Sequence, residues 1–213
     1  MVNTRTESAY EYIKENILNG TYKPHQRLTE NELSEMTGAS RNTVKNALIQ
    51  LQKENLVDIQ KNKGAYIRDF SLSEILNYLE IREHLEGLVA RSAALHITDE
   101  QLGRMEAILA FMKDCIEKDK FDEYSKSNVE FHKVIHEASR KPQAVEIIST
   151  IRNQIARYHF RSILIPGRKK FSFEEHKAIF EALQARDPDE AESTSRIHVA
   201  HVYENVQKHS SFL

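Results

Sequence analysis

Two short helical patterns meet at a glycine near the start of this 213-residue chain, and they limit the folds that it can adopt. Thr29 and Glu32 form a Thr-x-x-Glu capping box, which predicts the start of a short helix. Gly38 supplies a tight turn, and Ser40 can cap a second helix that runs to about residue 51. The spacing predicts that these helices turn a set of apolar side chains inward: Leu33, Met36, Val44, Ala47, Leu48 and Leu51.

The exposed face at the start of the second helix is basic and rich in hydrogen-bonding groups. In a helix-turn-helix, the first turns of the second helix enter the major groove of DNA. Arg41 can make a bidentate contact to guanine or clamp a phosphate, while Asn42 and Thr43 can reach base edges or the backbone. Lys45 can neutralise a phosphate. An ordinary helix pair with a solvated basic face has the same pattern, so this segment alone leaves both interpretations open.

The residues after this helix pair favour the DNA-binding interpretation. Two short strands are predicted by two groups of apolar residues: Leu56, Val57 and Ile59, and then Ala65, Tyr66 and Ile67. The turn between them is basic, with Lys61 and Lys63, and Gly64 suits a positive φ. A first helix is expected over residues 6–18. Three helices followed by such a hairpin form a winged helix, whose wing would reach the DNA backbone or minor groove.

Charge and composition are consistent with a DNA-binding head on a larger body. Residues 1–68 carry ten Lys and Arg against eight Asp and Glu, a net +2, whereas the remaining residues carry twenty against twenty-four, a net −4. The sequence has no apolar run of the roughly 18–20 residues that a membrane span needs and no signal-peptide core, so we expect no membrane association. Cys115 is the single cysteine, which fits a reducing cytoplasm.

The N-terminal third resembles the GntR family of bacterial transcription regulators. The resemblance rests on GASRNTVKNALIQLQKENLV (38–57) and KNKGAYI (61–67). The family has a Ser-Arg-Thr-Pro-Val-Arg-Glu-Ala-Leu string where this chain has Ser-Arg-Asn-Thr-Val-Lys-Asn-Ala-Leu. Arg41 is retained, but Lys45 replaces an arginine and cannot form a planar fork. Some relatives carry a DNA-contacting arginine where this chain has Asn31.

From about residue 70 to the end, the pattern predicts an all-α antiparallel bundle. Six or seven helices with short connections are expected in residues 70–213, behind a DNA-binding domain of residues 1–69. This body resembles the FCD ligand-binding domain of FadR-type GntR regulators. The matching blocks are EIREHLEGLVARSAA (80–94), NVEFHKVIHEAS (128–139), EEHKAIFEALQARD (174–187) and DEAESTSRIHVAHV (189–202).

The FCD resemblance implies a metal site. Metal-binding members carry an Asp and a His four residues apart on one helix and two later histidines. The matching residues here are Asn128, His132, His176 and His198. Three neutral imidazoles suit zinc or nickel. Asn128 is a departure, because an amide brings no negative charge and should lower metal affinity. The alternative is that the histidines line a polar cavity and bind a ligand or each other.

The same resemblance implies an effector site. Arg82 matches an arginine that pairs with the carboxylate of an effector, a task suited to a guanidinium. Alternatively, Arg82 is exposed and forms a salt bridge with Glu86 on its own helix. His136 lies one turn beyond His132 and could line the cavity or lie at the surface. Two further candidates share one helix face, Arg157 and Arg161.

Three classes of function are compatible with these features. The first is a dimeric repressor that binds near-palindromic operator DNA and responds to a small carboxylate or sugar acid. The second is a metalloenzyme, which is disfavoured because no dedicated base or nucleophile accompanies the histidines. The third is a ligand-independent repressor whose body only holds a homodimer together. We expect the first, with no enzyme activity.

Overall fold

The computed structural model describes residues 4–61, 63–162 and 168–209, apart from the side chains of 4–7, 157–162 and 169. These residues form nine helices and a three-stranded sheet. They divide into two compact units, residues 1–71 with 152–157 and residues 72–151 with 158–213. We call the first the head and the second the body. Of the helices described, none has the length and apolarity to cross a membrane.

The head contains the predicted helix-turn-helix. Its helices are α1 (Thr4–Leu18), α2 (Glu30–Thr37) and α3 (Arg41–Lys53). The predicted capping box is present, since Thr29 accepts from the backbone of Glu32 and the Glu32 side chain accepts from the backbone of Thr29. Gly38 ends α2 with φ +66°, a left-handed conformation that glycine adopts without strain. Ser40 then caps α3. Local sequence signals therefore set both ends of the turn.

The wing belongs to a sheet with one strand more than the sequence predicted. Strands β2 (Val57–Gln60) and β3 (Gly64–Ile67) form the expected antiparallel hairpin. A third strand, β1 (Arg27–Leu28), pairs with β3 in the order β1-β3-β2. A strand of two residues is too short to show alternating hydrophobicity, which is why the sequence indicated only a connector there.

The head has an apolar core. The sequence-based prediction of that core contains one error. Leu33 is buried as expected, but Met36 is 57% exposed. An eight-residue helix turns only a narrow stripe toward the core, and Met36 lies outside it. The core consists of Ala9, Tyr10, Ile13, Ile17, Tyr22, Leu28, Leu33, Ala39, Val44, Ala47, Leu48, Leu51, Leu56, Val57, Ala65 and Ile67.

The body is all-α, as predicted. The described helices after residue 71 are α4 (Leu72–His96), α5 (Asp99–Glu117), α6 (Phe121–Ala138), α7 (Pro142–Ser162), α8 (Arg168–Gln184) and α9 (Pro188–Lys208). All lie in the body except residues 152–157 of α7, which belong to the head. Thr98 and Gln101 form a capping box at the start of α5, and Asp187 caps α9 next to a proline in its first turn. Short connections between most of these helices fit a bundle, as the sequence indicated.

Helices α4 and α9 approach each other closely in the body. A Cβ atom built on Gly87 of α4 would lie 2.6 Å from Cγ of Arg196 on α9. Arg196 also donates to Glu83 at 2.9 and 3.0 Å, which joins the same two helices. The absence of a side chain at Gly87 thus lets α9 lie directly on α4. This contact fixes where His198, two residues further along α9, enters the interior.

Candidate DNA interface and candidate metal centre

The candidate DNA-contacting side chains of the head lie at the protein surface. Arg41, Asn42 and Lys45 are exposed on the first turns of α3, opposite its buried stripe. Asn31 is exposed near the start of α2. In the wing, the exposed candidates are Lys61 and Lys63. Exposed polar and cationic groups at the start of α3 are what contact with DNA requires.

Three other DNA-binding candidates, Ser40, Thr43 and Gly64, have structural roles in the head. Ser40 accepts a hydrogen bond from the backbone of Thr43 at 3.2 Å, and the two hydroxyls lie 2.9 Å apart. The Ser40 oxygen therefore serves first as a helix cap. Gly64 has φ +99°, and a Cβ there would lie 2.9 Å from the carbonyl oxygen of Leu28. Any other residue would push β3 away from β1, so Gly64 holds the wing in register.

Three histidines from three helices meet in the interior of the body. His132 of α6, His176 of α8 and His198 of α9 are each at most 2% exposed. One ring nitrogen from each lies within 4.8 Å of the others. Their ring centroids are 4.7–5.3 Å apart. The structure thus brings together three of the residues that the sequence proposed for a metal; we call them the histidine cluster.

Hydrogen bonds orient two of these rings. Nδ1 of His176 lies 2.5 Å from the backbone oxygen of Ser172, and Nδ1 of His198 lies 2.7 Å from Oε2 of Glu175. A carbonyl and a carboxylate can only accept, so in the neutral rings the proton is on Nδ1. Each Nε2 is left with a lone pair. Metal-binding histidines are commonly oriented in this way by a carbonyl or carboxylate.

Burial keeps His176 and His198 uncharged. Desolvation lowers the pKa of His176 to about 3, with a smaller contribution from His198. Desolvation also lowers the pKa of His198, although its bond to Glu175 acts in the opposite direction. Burial favours the protonated form of Glu175, but His198 and Arg168 outweigh it and lower the pKa of Glu175 to about 2. Neutral imidazoles beside a carboxylate anion are the protonation states that suit a metal.

Glu175 and Arg168 are candidate functional residues that the sequence did not reveal. Arg168 donates two hydrogen bonds to Glu175, at 2.9 and 3.0 Å, and both side chains are less than 9% exposed. Glu175 also contacts His201 at 2.9 Å. The one available signal was the position of Glu175 next to His176 in the Glu-Glu-His run of residues 174–176. Neighbours on a helix point in different directions, so that signal is weak.

The donor set fits a divalent ion. Nε2 of His132 and Nε2 of His176 are 3.3 Å apart. Two imidazole nitrogens at a zinc–nitrogen distance of about 2.0–2.1 Å lie about 3.3 Å apart around a tetrahedral ion. Asn128 is 7% exposed and precedes His132 by one turn of α6. Its side-chain oxygen is a candidate further ligand that would bring no charge.

The candidate effector arginine, Arg82, is buried rather than exposed. It is 2% exposed, and its Nε donates to Glu86 at 3.1 Å. Glu86 also contacts Nε2 of His136 at 3.0 Å, and the His136 ring lies 6.4 Å from that of His132. Arg82 therefore forms the expected pair with Glu86, but in the interior rather than at the surface, and its effector-binding role stays a prediction.

Two candidate effector residues lie outside the described side chains. These are Arg157 and Arg161, whose backbone belongs to α7. A further polar group in the body has no sequence-based assignment. Among the residues that the structure describes, the buried hydroxyl of Tyr124 makes no hydrogen bond of ordinary geometry, and it lies one turn before Asn128 on α6. Burial raises the pKa of Tyr124 to about 12, so it remains a hydrogen-bond donor at neutral pH.

A winged helix followed by a helical body, here with a buried histidine cluster, is the architecture of a DNA-binding transcription regulator. Residues 5–67 match the family of bacterial regulatory proteins, gntR family, and residues 77–201 match the FCD domain. The chain belongs to the GntR family of transcription regulators and carries an FCD domain. This is a non-enzyme family, which confirms the expectation that the chain is not an enzyme. FCD domains are known to bind a metal.

Similar proteins extend over nearly the whole chain. The HTH-type transcriptional repressor RspR of Escherichia coli is 27% identical over 95% of this chain and 89% of its own length. The Uxu operon regulator of Haemophilus influenzae is 26% identical over 90% of this chain and 78% of its own. The solved structure of E. coli McbR/YncC has the same fold, with a TM-score of 0.82 at 20% identity, covering 98% of this chain and 99% of that one.

Proposed function

We propose that this regulator is a repressor whose binding to operator DNA is controlled by a small carboxylate or sugar acid, together with a divalent metal, in the body. The observation that carries the proposal is the histidine cluster with buried Arg82 nearby in the same unit. An ion with three protein ligands keeps an open position for a ligand oxygen. The cluster joins three helices, so a ligand there can favour one arrangement of α6, α8 and α9 over another.

The repressor role is supported by the relatives. RspR is named a transcriptional repressor. NanR of Cronobacter sakazakii, also named a repressor, is 27% identical over 82% of this chain and 74% of its own. In the head, Arg41 and Asn42 would read base edges while Lys45, Lys61 and Lys63 would neutralise phosphates.

A homodimer is part of the proposal. Ile81, Leu88 and Leu95 are 43–62% exposed and follow one another at seven-residue intervals on α4. Seven residues are about two helical turns, so these side chains share one face. Large apolar side chains in a row are costly in water and suit a symmetric contact with a second copy. Leu88→Glu should turn a dimer into a monomer in analytical ultracentrifugation, whereas Glu80→Gln, which alters an exposed residue of α4 outside this row, should not.

A second candidate is a repressor whose body is purely structural. The pairing of Arg82 with Glu86 favours it, because this guanidinium already has a carboxylate partner without any effector. In that case neither metals nor carboxylates would alter DNA binding.

The two candidates differ in how the purified protein responds to ligands. An operator would first be selected from a pool of random DNA duplexes. Thermal unfolding and operator affinity would then be measured with zinc, nickel and a panel of small carboxylates, singly and combined. The first proposal expects stabilisation of the body and weaker operator binding with an active combination. No response to any combination would contradict it and support the structural body.

Two variants test whether the response to metal arises at the histidine cluster. His132→Ala should abolish the metal response and leave operator binding by the ligand-free protein near that of wild type. His84→Ala removes an exposed histidine of α4 in the same unit and should retain the response. Equal loss in both variants would show that the response does not arise at the histidine cluster.

A further inference from the structure

The buried charges around the histidine cluster balance one another without any ion. Among the described side chains of the body, Arg82 pairs with Glu86 at 3.1 Å, and Arg168 pairs with Glu175 at 2.9 Å. All four of these side chains are at most 8% exposed. A histidine must be neutral to bind a metal, so the three rings add no charge. This part of the interior is therefore electrically neutral as it stands.

A divalent ion in the histidine cluster would introduce two positive charges into this neutral interior. Asn128 occupies the position one turn before His132 and offers an amide oxygen, which can coordinate but carries no charge. Glu175 is already engaged by Arg168, His198 and His201, and Glu86 by Arg82 and His136. An uncompensated charge away from water is strongly unfavourable. The ion therefore needs a negative charge from outside the protein.

We propose that Asn128, an uncharged residue one turn before His132, makes binding of a divalent cation at the histidine cluster depend on a carboxylate anion from outside the protein, so that the two ligands bind as a strongly coupled pair. The proposal rests on the metal- and effector-binding role proposed above. A carboxylate oxygen can take the open position of an ion held by three histidines. It also supplies the negative charge that an aspartate at position 128 would supply. Each ligand then raises the affinity of the other by the same factor, as thermodynamic linkage requires.

With this coupling, the regulator responds only when the metal ion and the carboxylate are both present. Metal alone leaves the interior with excess charge, and the anion alone has no ion to bind. The occupied state then needs both ligands at once. With an aspartate at position 128, the protein would hold the metal permanently and respond to the anion only.

Isothermal titration calorimetry of the full chain tests the coupling. Metal-free protein would be titrated with zinc chloride, with and without saturating acetate, and with acetate, with and without saturating zinc. In wild type, acetate should raise zinc affinity by roughly 5–150-fold, and zinc should raise acetate affinity equally. In Asn128→Asp, zinc should bind more tightly without acetate, and the coupling factor should fall toward one. Asn77→Asp adds the same charge at an exposed position of α4 and should keep the wild-type factor.

The outcomes separate this proposal from the function on which it rests. A wild-type coupling factor of one would overturn the coupling, whether or not Asn128→Asp folds. An equal factor above one in wild type and Asn128→Asp would overturn the role of Asn128. Strong coupling with no effect of zinc and acetate on operator affinity would contradict the proposed function and leave the coupling standing. Absence of zinc binding under every condition would contradict both.

Discussion

The head and the body of this protein bury different kinds of side chain. The head has an apolar core, and its candidate DNA-binding groups are at the surface, where water stabilises them until DNA arrives. The body buries histidines, arginines and glutamates, each of which needs a partner in place. The two units therefore differ in where their candidate functional side chains lie, at the surface of the head and in the interior of the body. The exposed candidate DNA-contacting side chains of the head, such as Arg41 and Lys63, can change without disturbing its fold, whereas the buried polar side chains of the body are part of its fold.

The sharpest test of this contrast is to remove a carboxylate from the interior of the body. Glu175→Ala leaves the Arg168 guanidinium buried without its counter-charge, which should destabilise the body by roughly 3–5 kcal/mol. Amide hydrogen exchange, measured by mass spectrometry, should become faster in α8 and α9, and it reports the loss of stability separately for the body and the head. The surface pair of Arg91 and Asp189 is the control, and Asp189→Ala should have a far smaller effect. Similar losses in both variants would contradict the structural role of the buried pair.

In the head, the corresponding test removes apolar volume. Leu51 is fully buried on α3, so Leu51→Ala should cost about 2–5 kcal/mol through lost burial and the cavity left behind. Exchange should rise in α1 and α3. Gln50→Ala changes an exposed neighbour on the same helix and should leave the exchange rates nearly unchanged. If amide exchange in Leu51→Ala were as slow as in wild type, the stability of the head would not depend on this core.

At the surface of the head, a charge can be removed without loss of stability. Arg41→Ala should keep the wild-type unfolding transition and weaken discrimination between operator and random DNA, by about 1–3 kcal/mol if Arg41 contacts a base. Fluorescence anisotropy with both duplexes at one salt concentration measures this difference. A loss of thermal stability would contradict the separation of surface function from core stability.

The smallest expected effect is at the wing. Lys63→Ala should weaken binding to operator and random DNA alike, because a phosphate contact carries no sequence information. The slope of log affinity against log salt should fall by about one. If Lys63→Ala reduced discrimination as much as Arg41→Ala, the roles assigned to α3 and the wing would be wrong.

Features encoded by neighbouring residues were predictable from the sequence. The capping box of Thr29 and Glu32, the turn at Gly38 and the hairpin of the wing depend on residues close together in the chain, and all were predicted. Among the described residues after residue 71, the structure has six helices, α4–α9, in agreement with the six or seven that the sequence predicted.

Contacts between distant residues were harder to predict. The bond between Glu175 and His198 joins two helices and depends on how closely α8 and α9 pack, which no periodicity reveals. The resemblance to the FCD domain indicated the three histidines but not the two buried ion pairs that set the charge of their surroundings. Burial of Arg82 likewise depends on the whole bundle, although its bond to Glu86 is local.

The short strand β1 has a consequence for how the head assembles. Leu28 pairs with Ala65, so residues that precede the helix-turn-helix are hydrogen-bonded to residues that follow it. Helices α2 and α3 therefore lie within a closed loop of chain, and closing that loop costs conformational entropy before the pairing repays it. The wing cannot reach its final form as an isolated hairpin, because two strands alone are marginally stable in water. The pairing of β1 with β3 therefore links the stability of the wing to that of the helix-turn-helix.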